Sequence, residues 1–117
     1  MGLSTHVLDT MHGSPAAGMA VRLYSVQGVQ RTLVKELALN ADGRNPGGLL
    51  YEHAAMQAGC YRLEFAVADY FRARGVALPE PPFLDQVGID FGMADASAHY
   101  HVPLLVSPWS YSTYRGS

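Results

Sequence analysis

The sequence predicts an all-β fold, an antiparallel sandwich. Three observations carry this. Seven or eight short runs alternate apolar and polar residues or are rich in β-branched and aromatic side chains. Gly, Pro, Asn and Asp gather between the runs, which is turn chemistry. At most one short stretch reads as helix. Strands at this spacing, joined by turns, bury their apolar faces as two layers with Greek-key connections. No internal repeat or low-complexity segment interrupts the pattern.

Residues 3–8 form the first predicted strand, with Leu3, Thr5 and Val7 on one face and Ser4, His6 and Leu8 on the other. Residues 9–18 carry an Asp, two Gly and a Pro and read as turns. A second strand over 19–26 alternates Met19, Val21 and Leu23 against Ala20, Arg22 and Tyr24. Gln27-Gly28 breaks it, and a third strand over 32–39 follows with imperfect alternation. Residues 40–48, NADGRNPGG, are a loop by composition, with Arg44 inside it. Residues 49–57 are ambiguous between a short strand and irregular structure. Residues 59–68 are a clear strand, with Tyr61, Leu63, Phe65 and Val67 on one face. A short helix is expected over 69–74, with Asp69 as its N-cap and Gly75 past its end. Three prolines within 78–82 exclude helix and central strand. Further strands are expected over 87–91, 99–106 and 111–114.

The 117 residues suit one domain, 1–117. Hydrophobic residues make up 49% and charged residues 15%, enough apolar material for a core and too little charge for disorder. The net charge is −2 and no basic run exists, so a nucleic-acid partner is excluded. Cys60 is the one cysteine, so no disulfide forms within the chain, which fits a reducing compartment. The start, MGLSTHVLDT, lacks the basic and apolar segments of a signal peptide. No apolar run reaches membrane-spanning length. The expectation is a soluble, cytoplasmic protein with no membrane partner.

Chemistry has few places to sit. No phosphate loop, nucleophile elbow or telling acidic pair is present. What remains is His6 in the first strand, His99 and His101 on one face of a late strand, Arg44 in a glycine-bounded loop, and hydroxyls near the end. Each has a plain structural reading: a surface or satisfied histidine, a solvated arginine. His99-x-His101 is also a metal-ligand spacing, and His6, His99 and His101 together make a metal-dependent hydrolase an alternative. His12 and His53 lack supporting context and read as surface residues, and Cys60 as a small strand residue. The end of the chain is aromatic, with Trp109, Tyr111 and Tyr114, and is expected to dock into structure.

These residues fall into motifs. Ser4-Thr5-His6-Val7-Leu8-Asp9-Thr10 precedes Gly13-Ser14-Pro15-Ala16, then Asp42-Gly43-Arg44. His99-Tyr100-His101-Val102-Pro103-Leu104-Leu105 and a terminal Tyr111-Ser112-Thr113-Tyr114-Arg115-Gly116-Ser117 complete the set. In this order, almost end to end, the chain resembles the 5-hydroxyisourate hydrolases, the enzyme branch of the transthyretin-related family. His6, Arg44, His101 and Tyr114 separate it from the hormone-carrier branch. Residues 45–48 and Trp109 look individual to this chain.

The resemblance implies a transthyretin-like sandwich of two antiparallel four-stranded sheets with one short helix. It implies a homotetramer, a dimer of dimers, with active sites in the channel between dimers. The implied substrate is 5-hydroxyisourate, hydrolysed to 2-oxo-4-hydroxy-4-carboxy-5-ureidoimidazoline in urate degradation, with no cofactor and no metal. His6, Arg44, His101 and Ser117 are the implied catalytic set, and His6, Arg44 and Tyr114 the substrate-binding one. Either histidine suits a base for water, and Arg44 a fixed cation with a planar donor fork. An arginine beside a histidine pushes it towards its neutral form. Ser117 offers a hydroxyl and the terminal carboxylate. A carrier of a small aromatic ligand is the competing class, and ligand binding without turnover distinguishes it.

Overall fold

The computed structural model describes residues 2–48, 50–52 and 56–116, with the backbone alone at Glu52. In chain order these residues form β1 (Gly2–Asp9), β2 (Ser14–Pro15), β3 (Ala20–Gln27), β4 (Gln30–Ala38) and β5 (Tyr51–Glu52). Then follow β6 (Gly59–Ala66), α1 (Val67–Ala73), β7 (Gln86–Met93), β8 (His99–Val106) and β9 (Tyr111–Thr113). One sheet has the order β2-β1-β8-β9, with the two-residue β5 also on β1. The other has the order β4-β3-β6-β7.

The inner faces follow the alternation. Leu3, Thr5 and Val7 of β1 are buried, as are Tyr100, Val102 and Leu104 of β8. Across from them lie Val21 and Leu23 of β3 and Leu63 and Phe65 of β6, also buried. Each such leucine or phenylalanine contributes about 1.5–3 kcal/mol by leaving water. Thr5 is tolerated among them because its Oγ1 donates to the Val102 carbonyl at 2.7 Å.

Pairing departs from the sequence expectation in one important place. β1 and β8 run parallel, with Gly2 beside His99, Ser4 beside His101 and His6 beside Pro103. A period of two reports which face a side chain occupies and nothing about strand direction. The imperfect alternation of the third strand also has a cause. Leu23 pairs with Lys35 and Tyr24 with Leu33, so Val34 is the extra residue of a β-bulge.

The helix starts earlier than expected. Val67 and Ala68 leave the strand and open α1, and both of their N–H groups donate to the Asp85 carbonyl at 3.1 Å. Asp69 therefore lies in the first turn, and the N-cap is Ala66. The far end matches: Gly75 has φ +84°, Gly75 N–H donates to Arg72 O and Val76 N–H to Phe71 O. This is a Schellman closure, which a residue with a β-carbon disfavours. The ambiguous segment contains β5, which pairs with β1, and residues 78–82 form neither helix nor strand.

The two outer faces differ in kind. On the β3-β6-β7 sheet, Arg22 pairs with Glu36, and Arg62 with both Glu64 and Asp90. Gly88 makes room for Arg62, whose guanidinium lies where a β-carbon would sit. On the other sheet the alternating outward residues of β1 and β8 are Ser4, His6 and Leu8, and His99, His101, Pro103 and Leu105. No carboxylate stands among them.

Candidate active site

The site is built on β1 and its two edges. Residues 40–48 and Leu50 are not a free loop: they lie along the edge of β1 away from β8. Val7 N–H donates to Gly43 O at 2.8 Å, and Leu50 N–H donates to Leu3 O at 2.6 Å. Between them the Asn45 side chain acts as a strand partner, its Oδ1 accepting from Thr5 N–H at 2.9 Å. His6 and Arg44 consequently oppose each other in an antiparallel bridge.

The turn before Arg44 is closed by its own residues. Asn40 Oδ1 accepts from the N–H groups of Asp42 and Arg44, and Asn40 N–H returns to Arg44 O at 2.9 Å. Gly43 adopts φ +72°, and a β-carbon there would lie 2.6 Å from the Val7 carbonyl oxygen. Only glycine allows this approach. The Arg44 side chain is exposed and makes no ion pair among the described residues, which leaves a free cation beside His6.

His101 joins from the other edge. It pairs in register with Ser4, and Ser4 Oγ and His101 Nδ1 share a hydrogen bond of 2.8 Å. The tail crosses it: Gly116 N–H donates to His101 O at 2.8 Å. Burial lowers the pKa of His101 below its ordinary value, and the charges of Arg44, His6 and His99 lower it further. The like-charge effect expected from the sequence is thus present, second to burial.

The structure therefore gathers His6, Arg44, His101 and the edge of His99 on one outward face. Tyr114 comes just before Arg115, whose guanidinium donates to the His99 carbonyl at 3.3 Å. Tyr114 is 60% exposed and lines a cavity of about 250 Å³ with Tyr100, Val102 and Ile89. Ser117 and His53 lie outside the described residues. The tail is docked, but by its backbone and by Arg115, whose guanidinium stacks 4.3 Å over the Tyr100 ring. The end of the chain is docked as expected, while the Trp109, Tyr111 and Tyr114 side chains remain exposed. Among the described residues no three His, Cys, Asp or Glu side chains form a group that could hold a metal ion, so the three-histidine alternative finds no geometry.

Sequence reasoning missed two groups. Ser4 was placed on the correct face, but its partner follows only from the parallel register. Asp9 has a fully buried side chain at the end of β1, and its carboxylate accepts from His12 Nδ1 at 2.6 Å and Tyr70 Oη at 2.8 Å. Arg74 stands 3.6 Å away. His12 lies at the surface, as expected, and is in addition a partner of a buried carboxylate. Asp followed three residues later by His was the available signal.

A two-layer sandwich with a histidine–arginine cluster on one outer sheet face defines a transthyretin-like protein with the groups of a catalyst. The HIUase/Transthyretin family matches residues 3–116, and the chain belongs to it. It is 58% identical over 115 residues to a Ralstonia nicotianae protein named 5-hydroxyisourate hydrolase, covering 98% of this chain and 97% of that one. A crystal structure of (S)-allantoin synthase superposes with a TM-score of 0.92 at 43% identity; the match covers 99% of this chain and spans 43% of that one. Sea bream transthyretin in complex with thyroxine superposes with a TM-score of 0.86 at 26% identity, covering 99% of this chain and 95% of that one. No helix among the described residues is long and apolar enough to cross a membrane.

Proposed function

We propose that this chain, acting as one domain over 1–117, hydrolyses 5-hydroxyisourate to 2-oxo-4-hydroxy-4-carboxy-5-ureidoimidazoline in urate degradation. The observation that carries the reading is the joining of His6, Arg44 and His101 on one face of the β1/β8 sheet, in a chain 58% identical to a relative of that name. Water attacks the ring carbonyl next to nitrogen, the carbon–nitrogen bond breaks, and the water oxygen stays on the new carboxylate. A histidine takes the proton of the water, and the leaving nitrogen receives one. Arg44 offers its donor fork to the oxyanion that develops. A neutral histidine fits the base role, and the lowered pKa of His101 favours it for that role.

The reading includes a homotetramer, a dimer of dimers. It is supported by the contrast between the outer faces, one laced with ion pairs and the other carrying Leu8, Leu105 and the histidines. Tyr114 and Ser117 would then enter the site where subunits meet, Tyr114 to bind substrate and Ser117 to orient a histidine or water. The setting we assign is the cytoplasm, in keeping with a single cysteine.

The test is direct. 5-Hydroxyisourate is generated with urate and urate oxidase, and its ultraviolet decay is followed with and without this protein. Faster decay that persists with a chelator is the expected result. An unchanged decay with folded protein would overturn the reading and favour a carrier, the role suggested by the thyroxine-bound neighbour.

A further inference from the structure

We infer that Ser4 is the positioning residue that selects the tautomer of His101, accepting from Nδ1–H so that the Nε2 lone pair faces the reacting water. This deepens the hydrolase reading and rests on it for the meaning of the lone pair, but not for the tautomer itself. Three observations carry it. Ser4 Oγ stands 2.8 Å from Nδ1, the ring nitrogen nearer the backbone, so one of the two nitrogens is already engaged. The parallel register places Ser4 directly beside His101, so strand pairing brings the two side chains together. Gly116 closes the Cδ2 side of the ring: a β-carbon there would come within 2.6 Å of Cδ2.

The ring is thus held on two sides, and Nε2 is the nitrogen left for chemistry. A neutral imidazole has one donor and one acceptor nitrogen, and the partner of one fixes the role of the other. Serine can donate or accept, and its position alone allows both. Arg44 decides between them. It is a permanent cation that offers donors only, and the strand register puts it on the face of His101: it opposes His6, which follows Ser4 by two on β1. An Nε2–H turned to the same open face would set donor against donor, whereas an Nε2 lone pair is stabilised there. Ser4 therefore accepts, and its own hydroxyl proton is free to turn to solvent or substrate.

The experiment is nitrogen-15 NMR of the histidine-labelled full-length protein at a pH where His101 is neutral, with His101→Gln to assign the signal. The expected signature is a protonated Nδ1 and an unprotonated Nε2. The opposite pattern would overturn the inference even in a fully active enzyme. Ser4→Ala should scramble the tautomers and lower kcat by roughly 10–100-fold with KM little changed, the scale usual for losing an outer hydrogen-bond partner. Ser4→Thr keeps the hydroxyl and should restore both the NMR pattern and kcat. Ser4→Ala with wild-type tautomer and kcat would equally overturn the proposal. A protein that shows the expected tautomer but no turnover would refute the hydrolase reading and leave this one standing.

Discussion

His6 and Arg44 oppose each other across an antiparallel backbone bridge, although one lies in a strand and the other in a composition-defined loop. The bridge delivers a cation to a histidine without any side-chain salt link. It separates what Arg44 does for chemistry from what its backbone does for folding. Arg44→Ala should lower kcat/KM by about 10²–10³, the usual cost of a lost oxyanion donor. Its melting temperature should stay at the wild-type value, because the exposed side chain makes no ion pair among the described residues. Arg44→Lys should recover only part of the activity, since an ammonium lacks the planar fork. Wild-type turnover in Arg44→Ala would remove it from the mechanism.

Gly43 holds that bridge in place. Gly43→Ala must fit a β-carbon at φ +72° and 2.6 Å from Val7 O. Strain of about 1–3 kcal/mol is expected. The turn should lift from β1, so thermal stability and turnover should fall together. Equal melting curves and equal rates for the two proteins would show that the turn absorbs the methyl group.

His101 should set the acid limb of activity. Its pKa is lowered from 6.5 by burial first and by Arg44, His6 and His99 after it. A base works when neutral, and a lowered pKa keeps it neutral to more acidic pH. The acid limb of kcat/KM should therefore fall below 6.5, with activity dropping as pH falls through the lowered value. A limb above 6.5 would contradict this assignment. His101→Ala should cost about 10²–10⁴ in kcat.

Asp9 should govern acid stability. Burial by itself raises a carboxyl pKa, but the His12 backbone N–H, the His12 ring and the Tyr70 hydroxyl outweigh it and hold Asp9 below 3.8. A depressed carboxyl stabilises the fold above the unfolded value and loses that contribution as pH falls through the folded one. Melting temperature should thus decline in the window below about pH 4, where the unfolded carboxyl takes its proton. Asp9→Ala, which leaves the Tyr70 hydroxyl and the His12 N–H groups without their acceptor, should cost about 1–3 kcal/mol at neutral pH and flatten that acid decline. Calorimetry across pH reads both effects.

Deleting residues 114–117 removes the Gly116 bond to His101 and the Arg115 stack on Tyr100. Turnover should be abolished while the sandwich still folds, because residues 114–116 are not among the core residues. A fully active truncated protein would sink the role given to the tail.

Much of this was legible beforehand. The faces of β1, β3, β6 and β8 follow from alternation, because a side chain on a pleated strand has two directions to choose from. Gly75 marked the helix end because few other residues accept its backbone conformation. The helix start was misread because Asp69 resembles a cap, whereas the two Asp85 carbonyl contacts that open α1 come from a distant residue. The bulge at Val34 showed only as a blurred alternation.

The sequence by itself determined the family, the two-layer class, and the residue types available for chemistry. Those are properties of local pattern and motif order. Only the tertiary structure decided that β1 and β8 run parallel, and with that register which serine meets which histidine. It alone placed the Arg44 turn on the edge of β1, Arg115 over the Tyr100 ring, and the buried Asp9 carboxylate against His12 and Tyr70. The physical reason is common to all four: periodicity encodes the face of a side chain, whereas its partner is set by the hydrogen-bond register of strands remote in the chain.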